Sequence, residues 1–359
     1  MWSGGADTKD MANRFLAWLN PSSGQLKAPP APRAAPVPKP VPAELPPAAI
    51  VGAAEPALGR PAEADRAALE VALRAEIARA IDAIGVTLGT SAEADDGRGL
   101  LEDIRRDPLA VIRRPPLAAQ QALAACRDVN SSFGRILESF HQDPALTQAL
   151  LKHANSPYYA ASGTTCNSLH DAAQRVGLAG LHTVLTAATV EGLLCRPGGD
   201  YAAMVQQIWT HLVRTAPVAR RLARSAKVPS EMAYTLGLLH DLGKLIIFDR
   251  LSARRAATRH TARLTRGFLH EVLGELHGPL GGLAALQWSL DPDAARAIAT
   301  HPRGEYRYRD ETMSQVLAIA EWADLTTVRE QPRDYDGLWA RGGLTLDLAA
   351  CREVLEEGR

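Results

Sequence analysis

The stretch GLLHDLGK, residues 237–244, decides how this chain is read. Gly237–Leu239 is a small and apolar approach, which predicts a buried helix presenting His240 and Asp241. Adjacent residues on a helix diverge by about 100°, so this pair meets one centre only at a helix end or in a site shared between helices. Imidazole nitrogen beside a hard carboxylate oxygen is a donor mixture suited to Mn, Fe, Ni or Zn. Lys244 lies one turn beyond His240 on the same face, where an ammonium is a candidate contact for a phosphate oxygen.

Other donors fall on separate predicted helices. His211 sits in IWTHLVRTAPVARRLA, His277 opens HGPLGGLAALQW, and His301 follows the helical run 293–300. Glu321 belongs to the apolar run LAIAEWAD, where a lone carboxylate is costly unless it is paired or holds a cation, and Asp324 follows at i+3. His141, His153, His170, His182, His260 and His270 read as structural. Pro217 inside the His211 helix removes a backbone donor, which predicts a kink or restart there. Asn155-Ser156-Pro157 reads as a helix stop.

Working outward, residues 1–28 are mostly polar apart from Met11, Phe15, Trp18 and Leu19, which share one face of a short helix. That face either packs on the main body or docks in a partner's groove. Residues 29–63 form a linker: positions 29–61 carry 11 of the 24 prolines, interspersed with alanine, which predicts an extended, semi-rigid spacer. Residues 64–112 are assigned to accessory helices. Leu69, Leu73, Ile77, Ile81, Ile84 and Leu88 make an apolar stripe over 65–88, either covering the following domain or pairing with a second copy. Gly89–Arg98 reads as a loop and Leu100–Arg106 as a short helix. From 113 to 325 helix follows helix, with no alternating β-branched runs that would make a sheet. Residues 326–359 hold a Gly342–Gly343 turn and a last helix marked by Leu348, Cys351, Val354 and Leu355. The fold class is therefore all-α.

Composition narrows the function classes. The 359 residues carry 40 Lys and Arg against 40 Asp and Glu, so no net field favours nucleic acid or an anionic membrane. Cys126, Cys166, Cys195 and Cys351 are scattered without a CxxC pair, which argues against a disulfide framework or thiolate zinc site and fits a reducing, cytoplasmic setting. No run of about 18 uninterrupted apolar residues marks a membrane span.

Taken together, the motifs resemble a known family. GLLHDLGK looks like the doublet of the HD superfamily of metal-dependent phosphohydrolases. QDPALTQALLKHANSPYY (142–159), SLHDAAQRVGLAGLHTVLTAATV (168–190), WTHLVRTAPVARRLA and ELHGPLGGLAALQWSLDPDAARAIATHP (275–302) resemble, in order, the signatures of the HDOD family. The resemblance spans about residues 113–325. It implies an N-terminal helical half joined to an HD-like bundle, a non-catalytic output or scaffold role in bacterial signalling, and metal positions at His211, His240, Asp241, His277 and His301, with the last acid at Glu321 or Asp324. Two departures matter. His301 is followed by Pro302 where relatives often carry a second histidine, and HPRGEYRYRD contains no GYP element, which counts against cyclic-di-GMP hydrolysis.

Three functional readings follow: a scaffold module that requires no cofactor and works through other signalling proteins, a metal-dependent phosphohydrolase of HD type, and a metal- or nucleotide-binding sensor without turnover. They are separated by whether the five HD-type residues converge.

Overall fold

A computed structural model describes residues 63–87, 92–115, 117–126, 133–141, 144–156, 158–159, 165–195, 201–258, 264–301 and 312–357. The face formed by Met11, Phe15, Trp18 and Leu19, the proline-rich stretch and the segment after His301 lie outside the described residues. Among these residues every regular element is a helix. They are α1 (Glu63–Thr87), α2 (Ala92–Arg106), α3 (Leu117–Ala125), α4 (Phe133–His141), α5 (Pro144–Ala154), α6 (Leu169–Leu194), α7 (Ala202–Ser225), α8 (Ser230–Leu239), α9 (Leu242–Thr258), α10 (Arg266–Gln287), α11 (Pro292–Thr300), α12 (Thr312–Val328), α13 (Tyr335–Gly342) and α14 (Leu348–Glu357).

Three apolar cores organise these helices. Ile136, Phe140, Leu150, Leu169, Leu181 and Leu185 fill the core of α4, α5 and the first part of α6. A larger core joins α1, α2, the end of α6 and α7 to α11, through residues such as Ile77, Ile84, Ile208, Leu212, Phe248 and Leu276. The outer face of α7 makes a third with α12, α13 and α14, around Leu222, Ile319, Tyr335 and Leu355. Helix α6 is long and apolar enough in composition to cross a membrane, but half of that window is buried inside the fold. Gly177 interrupts it with φ 68°, ψ −177°, a conformation open essentially only to glycine, so the segment is two helices in tandem.

The apolar stripe predicted over 65–88 forms α1 and buries Leu73, Ile77, Ile81 and Ile84 against α10 and α11 of the same chain. Of its two predicted roles, this is the covering one. Two expectations need correction. Gly89–Arg98 is a loop only in part, since helix already runs from Ala92. Two glycines of this helix are points of close approach: a Cβ on Gly97 would strike the Phe268 ring, and one on Gly99 the Arg254 guanidinium. Asp103 then ties α2 to α9 through Arg250 (2.8 Å) and Arg254 (2.7 Å). Nor does the chain restart at Pro217, because α7 runs on to Ser225. The donor that proline lacks would have reached the carbonyl of Val213, whose side chain is exposed, so the outer face of the helix bears the loss.

The N-terminal half meets the larger core at the NSPYY turn. Asn155 ends α5 as expected and clasps Cys166 through both its backbone N–H (2.8 Å) and C=O (2.9 Å). Arg220 of α7 stacks over Tyr158 at 3.5 Å and Tyr234 at 4.4 Å and pairs with Glu231 at 3.2 Å, while Tyr159 donates to Glu231 at 2.9 Å. Packing a guanidinium between ring faces that exclude water strengthens such contacts. His153 leans on Tyr159 and Tyr234 in the same cluster, and burial, reinforced by Arg220, lowers its pKa to about 4.

Unfolded, His153 titrates near about 6.5. Its folded pKa is lower, so between these values the unfolded chain binds more protons and stability rises with pH. The contribution is complete above about pH 6.5 and is lost as the pH falls toward about 4. Denaturant titrations from pH 4 to 7 should show a steeper loss for the wild type than for His153→Phe. Equal slopes would place the acid sensitivity elsewhere.

Candidate metal centre

The site is built at helix ends. Helix α8 stops at Leu239, α9 starts at Leu242, and His240 and Asp241 occupy the joint, which answers the divergence of neighbouring helical residues. Gly237 and Gly243 bracket the pair because the backbones there nearly touch other helices. A Cβ on Gly243 would lie 1.9 Å from the carbonyl oxygen of His277, and one on Gly237 would lie 2.6 Å from Ala216 Cα. These approaches draw α7 and α10, with His211 and His277, onto the joint. His301 arrives from the end of α11.

All the predicted imidazoles converge on Asp241. Its Oδ1 lies 3.6 Å from His277 Nε2 and 3.5 Å from His301 Nε2, and its Oδ2 lies 3.7 Å from His240 Nε2 and 4.0 Å from His211 Nε2. His211, His240, Asp241, His277 and His301 are all buried. Two ligand triads share the carboxylate, His211–His240–Asp241 and Asp241–His277–His301, and Glu321 brings a third donor within 4.8 Å of His240 and His301.

Each ring is held from behind. His240 Nδ1 faces Gly237 O at 3.0 Å, His301 Nδ1 faces Ile298 O at 2.6 Å, and His277 Nδ1 faces Leu273 O. His211 Nδ1 meets Asp324 Oδ2 at 2.7 Å. These acceptors assign the N–H to Nδ1 and leave the Nε2 lone pairs aimed at the centre. Two such lone pairs, on His211 and His240, then face each other at 3.1 Å. They repel unless a cation lies between them, and nitrogens bound at about 2.0–2.1 Å to one ion stand about this far apart. The donor set therefore fits a divalent metal.

Two carboxylates and one ammonium take distinct places. Asp324 does not reach inward. It accepts from Arg214 at 2.7 and 3.0 Å as well as from His211, and these hydrogen bonds outweigh burial to hold its carboxyl below the usual range. Arg214 was not foreseen, though its i+3 spacing from His211 on an amphipathic helix was the available signal. Lys244, a candidate phosphate contact from the sequence, is buried and grips Asp241 at 2.7 Å (Oδ1) and 2.8 Å (Oδ2). Burial alone would raise the Asp241 pKa, but Lys244 and His240 pull it well below the ordinary carboxylate value. Burial, with Lys244 adding to it for His277, keeps His240 and His277 well below the ordinary histidine value. Among the histidines read as structural, His141 is exposed and His170 contacts Gln174 at 2.9 Å. His260 lies outside the described residues.

An all-helical domain with a buried His–Asp centre shared by four helices is the architecture of the HD-related group. The HDOD domain model matches residues 112–303, and the chain belongs to that family. Solved structures agree in fold. One from Shewanella amazonensis SB2B, provisionally described as a phosphohydrolase, is 24% identical, with a TM-score of 0.54 over 75% of this chain and 94% of its own. A second from the same organism, provisionally described as a metal-dependent phosphohydrolase, is 17% identical, with a TM-score of 0.56 over 74% of this chain and 100% of its own. An HDOD domain protein of unknown function from Geobacter sulfurreducens is 21% identical, with a TM-score of 0.51 over 70% and 92%. No curated protein matches the chain.

Because Asp324 sets the tautomer and aim of His211, Asp324→Asn should weaken divalent-metal binding by about 10- to 100-fold, the usual effect of losing such a partner. Competition against a chelator of known affinity measures this, and unchanged affinity would show that His211 is oriented without Asp324.

Proposed function

We propose that the chain is a signal-transduction output module that works through contacts with other signalling proteins, and that its His–Asp centre holds a divalent cation without turning over a substrate. The observation that carries this reading is the enclosure of the centre: its histidines and Asp241 are buried, and the ammonium of Lys244 is spent on Asp241. A phosphoester needs a reachable centre, and these side chains are buried. HDOD resemblance implies the scaffold role, and Pro302 and the missing GYP element fit it.

His211, His240, Asp241, His277 and His301 would hold the ion, with Glu321 beside them. A bound ion supplies positive charge that relieves the facing nitrogens and cross-links the helices. Mn, Fe, Ni and Zn all suit a nitrogen-rich set with hard oxygen. The residues themselves do the positioning: three backbone carbonyls and Asp324 keep each Nε2 inward, and Lys244 keeps Asp241 ionised.

A second reading, hydrolysis of a phosphodiester or nucleotide, is favoured by the two triads that share Asp241, an arrangement able to seat two ions. Its descriptive support is the phosphohydrolase wording attached to the Shewanella structures, at identities that speak for the fold alone.

One experiment separates the readings. Full-length protein purified without chelator is analysed for metal, then supplied with Mn or Fe and assayed on a chromogenic phosphodiester and on cyclic dinucleotides, beside His240→Ala. The proposal expects near-stoichiometric metal that His240→Ala loses, and no turnover above that variant. Turnover that depends on His240 would install the second reading, and metal-free wild type would remove the cation from the account.

A further inference from the structure

Both halves of the His–Asp centre share a carboxylate that already holds a cation. Lys244 Nζ lies 2.7 Å from Asp241 Oδ1 and 2.8 Å from Oδ2, so both oxygens face the ammonium. Lys244 is 4% exposed and Asp241 1%, which leaves solvent little part in screening either charge. Each oxygen also faces two imidazoles: Oδ1 those of His277 and His301, Oδ2 those of His240 and His211. Asp241 is the sole carboxylate in either triad.

Distance then ties any ion on Asp241 to the ammonium. An ion bound to either oxygen at about 2.0–2.2 Å stands no more than about 5 Å from Lys244 Nζ, because Nζ is itself within 2.8 Å of that oxygen. At such a separation inside a protein, like charges repel strongly. Little negative charge is present to offset them. Lys244 cancels Asp241, Arg214 is paired with Asp324 at 2.7 Å, and the imidazoles bind metal in neutral form. Glu321 remains, and it is only partly buried. One divalent ion can be accommodated against that carboxylate. A second would bury two more positive charges beside the first ion and the ammonium, with no anion to receive them.

We propose that Lys244 serves as a built-in second cation, so that the centre takes one divalent ion and refuses another. This rests on the reading of the centre as metal-binding. Lys244 acts here through its charge and its hold on Asp241, without touching an ion. The consequence is chemical: two ions flanking one phosphoryl group, the arrangement that steadies both the attacking and the leaving oxygen, are closed to the wild type.

Mn titrated into metal-stripped full-length protein tests the count, with free ion followed by its electron paramagnetic resonance signal. The wild type should saturate at one ion per chain, with the spectrum of an isolated ion. Lys244→Met removes the charge and keeps most of the stem, so it should bind a second ion about tenfold or more tightly than the wild type does. Its spectrum should then show two coupled ions. Lys244→Gln serves the same purpose if Lys244→Met does not fold. Two ions on the wild type would overturn the proposal while leaving the metal-binding reading intact, and so would a neutral variant that still takes only one. A wild type that binds no Mn would remove that reading, and the proposal with it.

Discussion

The carboxylate of Asp241, buried among four imidazoles and gripped by Lys244, is the constraint on which the rest of the structure depends. Withdrawing a carboxylate and an ammonium from water costs several kcal/mol each, and their mutual attraction offsets this only in close, well-satisfied geometry. Contacts of 2.7 and 2.8 Å to both oxygens provide such geometry. The four helices that bring the histidines must therefore meet at one point. The glycine at 243 exists in this setting because a backbone carbonyl occupies the space a side chain would need.

The same local device aims two of the rings. His240 and His301 each follow the last residue of a helix with αR backbone angles, and each directs Nδ1 to the carbonyl three residues back. His277 uses its own helix, four residues back. Only His211 relies on another element, through Asp324 and behind it Arg214. Three rings are thus set by local backbone, and the fourth by the packing of α12 on α7.

Much of this was legible from residues alone, and the reasons are physical. Helix periodicity exposed α1, because a stripe of large aliphatic residues has one way to be buried. The convergence of the histidines was readable only through the order of motifs, since tertiary distance leaves no mark on spacing. Asp324 and Glu321 could not be told apart by sequence: both are carboxylates one turn apart, and Arg214 decides which one turns away. Lys244 could not be placed for a similar reason, as its reach allows a contact inside the chain, here with Asp241, or one with a ligand. Gly97 read as loop because glycine lowers helix propensity, whereas the Phe268 ring needs the missing side chain's space.

A double-mutant cycle on Asp241 and Lys244 tests the central claim most directly. Urea unfolding of wild type, Asp241→Asn, Lys244→Met and the double variant, all stripped of metal, yields the coupling. Breaking a buried pair by removing one partner typically costs about 3–5 kcal/mol, because the other charge is left alone. Each single variant should therefore lose more stability than the double variant does. Losses that simply add would contradict the account, because they would show that Asp241 and Lys244 do not depend on each other.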